Sequence, residues 1–231
     1  MQHLTLQSYR RMAWRNGGGQ TAEIAAGPTH PDDPDGSDLG GGLGGGLGGG
    51  LGGDLGGEAF SWRISLADVT QDGPYSDFSG YRRILTLVAG RGTELCGRSG
   101  QSLRIDQHYQ PREFDGALPL QGRLLDGPIR NFNLIYRPDR VRATVQRLTI
   151  DRQTMVPARQ PETRLLFLAQ APGGGATGRR AGVMARQGGA SARLQPGDSL
   201  LLAAGGPSPD SLRLACRGLA TALLVTLEQS A

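Results

Sequence analysis

The stretch FSWRISLADV, Phe60 to Val69, alternates Phe60, Trp62, Ile64 and Leu66 with Ser61, Arg63, Ser65 and Ala67. A period of two puts the two sets on opposite faces of an extended strand, one of them apolar. Outward from it, further β runs begin at Arg83 (RILTLVA), Ser102 (SLRIDQ), Leu118 (LPLQGRLL), Asn131 (NFNLIYR) and Val141 (VRATVQRLTI). Others start at Arg164 (RLLFLAQA), Ser199 (SLLLAA) and Ala220 (ATALLVTLE). Turn signals such as DGPYSDFSG, AGRG, LDGP, RPDR and QPGDS separate them. Short strands at this spacing, with no long amphipathic helical pattern, predict an all-β sandwich or barrel.

Upstream of Phe60 runs PTHPDDPDGSDLGGGLGGGLGGGLGGDLGGE, Pro28 to Glu58, with Leu-Gly-Gly-Gly recurring. Glycine at this density loses too much backbone entropy on ordering for isolated leucines to offset. The segment reads as a disordered low-complexity insertion that interrupts a domain without creating two.

A chain of 231 residues, 37% of them hydrophobic, can bury about 70–75% of its unfolded surface. Its formal charge is +4, and every basic side chain is Arg; there is no Lys. That absence excludes a Walker-type phosphate loop, a pyridoxal Schiff base and a lysine general base, all of which need an amine. The arginines are scattered among acids without an aromatic platform, so no nucleic-acid partner is expected. Planar guanidinium forks instead suit carboxylate capture. Cys96 and Cys216 are too few and too far apart for a disulfide framework or zinc knuckle. No apolar run has signal or membrane-spanning length, so a cytoplasmic protein without membrane partners is expected.

WRNGGGQTAE, Trp14 to Glu23, lacks the glycine spacing and βαβ setting of a dinucleotide fingerprint. It reads as a loop or bulged edge where glycines permit positive φ and close backbone approach. Trp14 there is either a pocket wall or a core residue.

These residues resemble the HutD/Ves family. WRNGGGQTAE, FSWRISLADVTQDGPYSDFSGYRR (Phe60 to Arg83), REFDG (Arg112 to Gly116) and LLDGPIRNFNLIYR (Leu124 to Arg137) occur in that family's order. The resemblance implies a cupin-type, two-barrel β fold encoded beside histidine-utilisation genes, which tunes that pathway by sensing a small metabolite. Formylglutamate or urocanate is the ligand it suggests, and it implies no established catalytic activity. In the family an acid commonly stands where this chain has Asn131, and Phe where it has Tyr75; a contact depending on a carboxylate at 131 is thereby in doubt.

Metal and nucleophilic chemistry have little to stand on. His3, His30 and His108 show no paired ligand spacing, and LQPGDSLLL from Leu194 resembles a cupin metal-motif turn that no His follows. No metal and no cofactor are expected. There is no GxSxG elbow. The chain is therefore read as non-catalytic, with a metal-independent isomerase or lyase acting on a small carboxylate as the alternative.

The resulting expectation is an all-β, cupin-like double barrel (bicupin): residues 1–110, carrying the insertion at 28–58, and residues 111–231. It would bind a small acidic metabolite. Arg63 and Arg83 would take carboxylates; Asn16, Thr21 and Ser65 would read amide or formyl groups; Trp14 and Phe78 would wall the pocket. Gly18, Glu23, Ser76 and Asn133 complete the candidate set. On the Phe60 strand, Arg63 must face away from Trp62. Edge strands leave a homodimer open.

Overall fold

The structure, a computed structural model, describes residues 1–27, 60–158, 162–171, 182–202 and 211–230. The Leu-Gly arm and His30 lie outside these residues. From the N-terminus the strands are β1 (Gln2–Leu4), β2 (Arg10–Ala13), β3 (Gly19–Ala26), β4 (Trp62–Val69), β5 (Gly73–Pro74) and β6 (Arg82–Ala89). There follow β7 (Thr93–Gly97), β8 (Ser102–Ile105), β9 (Arg112–Asp115), β10 (Leu120–Leu124) and β11 (Ile129–Tyr136). The last are β12 (Val141–Val156), β13 (Thr163–Gln170), β14 (Val183–Gln187), β15 (Ala190–Leu194), β16 (Ser199–Leu202) and β17 (Leu212–Gln229). A 3-10 turn at Leu6–Ser8 is the helical element among the described residues. The runs read from sequence all form strands. β1, β2, β3, β5, β7, β9 and the β14–β15 hairpin are not among those runs: most are short, the β2–β3 segment reads as a loop or bulged edge because of its glycines, and MARQGGASAR alternates small rather than bulky side chains.

The chain divides into two compact units, Arg10–Val141 and Met1–Tyr9 with Arg142–Ala231. The boundary expected near Gln110 lies inside the first unit, between β8 and β9. Backbone pairing accounts for the division: β9 pairs with β6, β10 with β7, and β11 with both β4 and β6.

In the Arg10–Val141 unit a six-stranded sheet, β2-β3-β4-β11-β6-β9, faces a four-stranded sheet, β5-β10-β7-β8. Val69, Leu85, Leu87, Phe114 and Ile129 from the first meet Leu95, Ile105 and Leu120 from the second in one apolar cluster. In the other unit β1-β16-β13-β17-β14-β15 form one antiparallel sheet, with β12 also on β17. β17 pairs with β14 through Arg213–Ala215 and with β13 through Thr221–Leu227, and Gly218 between them has φ 112°. A glycine at that corner lets one strand serve two walls, around a core that includes Ile150, Leu166, Leu168, Val183, Leu200 and Leu214.

The two units repeat one plan. β6 lies between β11 and β9 as β13 lies between β17 and β16, and β7 pairs with β8 and β10 as β14 pairs with β15 and β17. The molecule is an all-β, cupin-like double barrel.

Candidate functional site

β11 runs down the middle of the six-stranded sheet with β4 on one side and β6 on the other. Ile135 faces Arg63 across one ladder and Arg83 across the other. Two residues along, Asn133 stands between Ser65 and Leu85; two further, Asn131 stands between Ala67 and Leu87. Alternation puts all of these side chains on one face. Leu85 and Leu87 belong to the core cluster between the sheets, so this is the inner face. Trp62 is buried on the opposite face, as the parity of β4 requires.

Arg63 and Arg83 are each only 5% exposed. The Arg63 guanidinium carbon lies 4.6 Å from the centre of the Phe60 ring and 5.5 Å from that of Phe78. That of Arg83 lies 5.0 Å from Tyr75 and 5.4 Å from both Phe78 and Phe114. Neither Nε has a hydrogen-bond partner. Among the described residues no carboxylate lies within ion-pair distance of either group. Burial pushes both guanidinium groups down to about 10; the Glu23 carboxylate holds Arg63 up slightly, and the Arg83 charge acts against it. Burying a charge without a partner costs several kcal/mol. A ring face returns roughly 0.5–2 kcal/mol, and it offers the N–H groups no lone-pair acceptor. The N–H edges are left for an in-plane acceptor. Two pre-oriented forks in a dry wall can hold an anion at low entropic cost.

Of the candidates, the structure brings together Arg63, Arg83, Ser65, Phe78 and Asn133. Glu23 shares the register row of Ser65 and Asn133, but its carboxylate lies 3.3 Å from the exposed Arg10 guanidinium. Ser76 is half-buried in the loop that carries Phe78.

The Asn16–Gly19 stretch is elsewhere. It turns β2 into β3: the Trp14 amide donates to Gly19 O at 3.0 Å, Gly17 N–H to Trp14 O at 3.0 Å, and Gly18 N–H to Asn16 Oδ1 at 2.9 Å. Asn16 thus serves the turn, and the Gly18 amide is already bonded. Gly19 pairs with Val69, six residues along β4 from Arg63, about 20 Å at strand rise. Trp14 is a core residue, its indole N–H donating to Thr21 Oγ1 at 2.9 Å. The anticipated role of Asn16 in reading a ligand therefore does not match the geometry, whereas Thr21 shares the register row of Ala67 and Asn131 on the inner face, its hydroxyl accepting from the Trp14 indole.

Sequence reasoning missed Phe60, Tyr75, Phe114 and Asn131. Asn131 was recoverable, since period two on β11 places it on the face of Asn133. The three rings were not, because they reach the arginines from separate loops and strands.

In the second barrel Arg164 occupies on β13 the place of Arg83 on β6, opposite Leu202 and Thr226. Its Nη1 donates to Pro157 O at 2.5 Å. The inner residues following it, Leu166 and Leu168, pack in an apolar core with Leu200 and Ala222. The QPGDS turn is a clamp: Asp198 accepts from the Leu6 and Gln195 amides at 3.0 and 2.9 Å, with His3 Nε2 at 3.1 Å. Among the described residues no group of three His, Cys, Asp or Glu is placed to hold a metal. No helix there is long and apolar enough to cross a membrane.

A family model described as HutD matches residues 52–224. A 21.2 kDa protein from the hutC 3′ region of Pseudomonas putida is 38% identical over 146 residues, 63% of each chain. Protein Ves of Cronobacter sakazakii is 30% identical over 134 residues, 58% of this chain and 59% of that one. The match thus spans less than two thirds of either relative. The solved structure of HutD from Pseudomonas fluorescens SBW25 (formate condition) superposes with TM-score 0.69 at 27% identity, covering 100% of this chain and 99% of that one.

Proposed function

This chain belongs to the HutD family, and on that premise we propose that it is a cytoplasmic, non-catalytic regulatory protein of histidine utilisation that binds a small acidic metabolite such as formylglutamate or urocanate. The name of the Pseudomonas putida relative, which lies beside hutC, supports the pathway. The observation that carries the binding role is the pair of buried guanidinium groups, Arg63 and Arg83, whose Nε atoms are unpartnered. A carboxylate entering the barrel supplies the acceptors that the fold withholds. Regulation then follows from differential affinity: the ligand favours whichever loop arrangement it contacts, with no covalent step.

The test is calorimetric titration with formylglutamate, urocanate, glutamate and histidine, after a metal assay on the same sample and with each mixture checked for turnover. Saturable binding of one acid without turnover, lost in Arg63→Ala, is the expected result. Conversion of the acid by metal-free protein would overturn the non-catalytic reading in favour of an isomerase or lyase. Absence of binding would overturn the sensor reading.

A further inference from the structure

We infer that a trough on the outer face of the second barrel, built on Arg186 and Arg213, is a second binding site, and that it takes a small phosphate monoester. It shares no residue with the acid site and stands independently of the reading given to that site.

Arg186 of β14 pairs with Ser191 of β15 on one side and with Arg213 of β17 on the other. One row thus reads Ser191, Arg186, Arg213 across three adjacent strands. Ala185, Leu212 and Leu214, the chain neighbours of the two arginines, lie in the core. Alternation therefore turns both guanidinium groups outward, and both residues are exposed. On strands about 4.8 Å apart, the two forks stand close enough to straddle one oxyanion. Gly188 and Gly189, both at positive φ (51° and 80°), close the β14–β15 hairpin in two residues. A turn of that kind puts no side chain over its end of the row. The result is an open trough of about 730 Å³, lined also by Ser211 and Met155.

The first barrel shows that the fold itself has no need of these arginines. There β7, β8 and β10 repeat β14, β15 and β17. One residue past the buried Leu95, as Arg186 is one past the buried Ala185, the row reads Ser102, Cys96, Gln121 and is neutral throughout. Like charges directly opposite each other across a ladder destabilise a sheet. No carboxylate lines the trough to relieve them, and the sequence has no Asp or Glu from Val183 to Leu194 or from Ser211 to Leu227. A bound dianion removes the repulsion that the fold leaves in place.

The lining selects the group. Two permanently charged forks and the hydroxyls of Ser191 and Ser211 make it rich in donors. A carboxylate or a phosphodiester, with one negative charge, balances one arginine. A phosphate monoester carries close to two charges at neutral pH and three acceptor oxygens, and so answers both. The trough falls within the roughly 300–1,000 Å³ of small-molecule sites, more than a bare ion fills. Met155, 61% exposed at its wall, offers a polarizable thioether to the organic remainder of the ester.

Calorimetry at pH 8 and low ionic strength tests this with phenyl phosphate, inorganic phosphate and dimethyl phosphate, the last a monoanion standing for the diesters of nucleic acids and lipids. Phenyl phosphate should bind at least about tenfold more tightly than dimethyl phosphate, because only the dianion engages both forks. It should exceed inorganic phosphate about threefold through Met155, a margin that Met155→Ser erases. Arg186→Gln and Arg213→Gln, the latter copying Gln121 of the first barrel, should each weaken phenyl phosphate at least about tenfold. Both should leave the affinity for glutarate, a probe of the acid site, unchanged. Circular dichroism checks that each variant is folded. No binding of phenyl phosphate, or binding that survives both arginine substitutions, would overturn the assignment. Its loss in Arg83→Met would place the anion in the first barrel and overturn it too. Dimethyl phosphate binding as tightly as phenyl phosphate would overturn the choice of a monoester.

Discussion

Arg63 and Arg83 stand level with each other on either side of Ile135, one on β4 and one on β6, and both turn toward the Phe78 ring, at 5.5 and 5.4 Å from its centre. Two like charges brought together out of water make a poor structural device and a good anion receptor.

Arg83→Met should cost no stability. It removes a desolvated cation and keeps a flexible chain among Tyr75, Phe78 and Phe114, so the free energy of urea unfolding should hold or rise, by up to roughly 1–2 kcal/mol. Acid binding should vanish. A loss of more than about 2 kcal/mol would mean that the guanidinium supports the fold.

Acid affinity should be flat from about pH 6 to 9 and fall as pH passes about 10. Burial disfavours the cations, so their folded values, about 10, lie well below the ordinary guanidinium range. The penalty for holding them charged is fully present below pH 10 and is relieved as pH rises through and above 10, where the anion loses its partner. Glutarate does not titrate in this range, and circular dichroism reports whether the fold persists. Undiminished affinity at about pH 11 would show that charge on the arginines is not what holds the acid.

Gly116→Ala should weaken binding from outside the site. A Cβ there would meet Phe78 O at 2.5 Å and Tyr81 O at 2.8 Å, backbone atoms that cannot rotate aside. The Gly116 carbonyl also accepts the Phe78 amide at 2.9 Å. The loop must shift, costing about 1–3 kcal/mol and moving the ring that both arginines share. Gly127→Ala is the control: its φ is 65° with open space around the Cβ, so it should cost about 1 kcal/mol and leave affinity intact.

Asp198→Ala should destabilise the second unit by roughly 2–4 kcal/mol, because the Leu6 and Gln195 amides both lose their acceptor. Hydrogen exchange at Leu6 should accelerate while glutarate affinity stays unchanged. Parallel loss of affinity would tie this clamp to the acid site.

Before any fold was visible, the alternation in FSWRISLADV specified a strand with Trp62 and Arg63 on opposite faces, and the other runs specified an all-β chain. Composition alone removed lysine chemistry and left arginine as the only strong cation. Motif order pointed to the family. These features are legible because they depend on neighbours one or two residues apart, or on residue types that are simply present or missing. Which face of β4 lies against a second sheet depends on sheet stacking, and which residue faces Arg63 depends on the register of β11, whose Ile135 lies far along the chain. Period two is silent on both. Tertiary structure alone therefore joined Arg63 to Arg83, set the three glycines of the β2–β3 turn about 20 Å away along the strand, and turned the unpartnered amides of Asn131 inward, where burial rather than sequence gives them their chemistry.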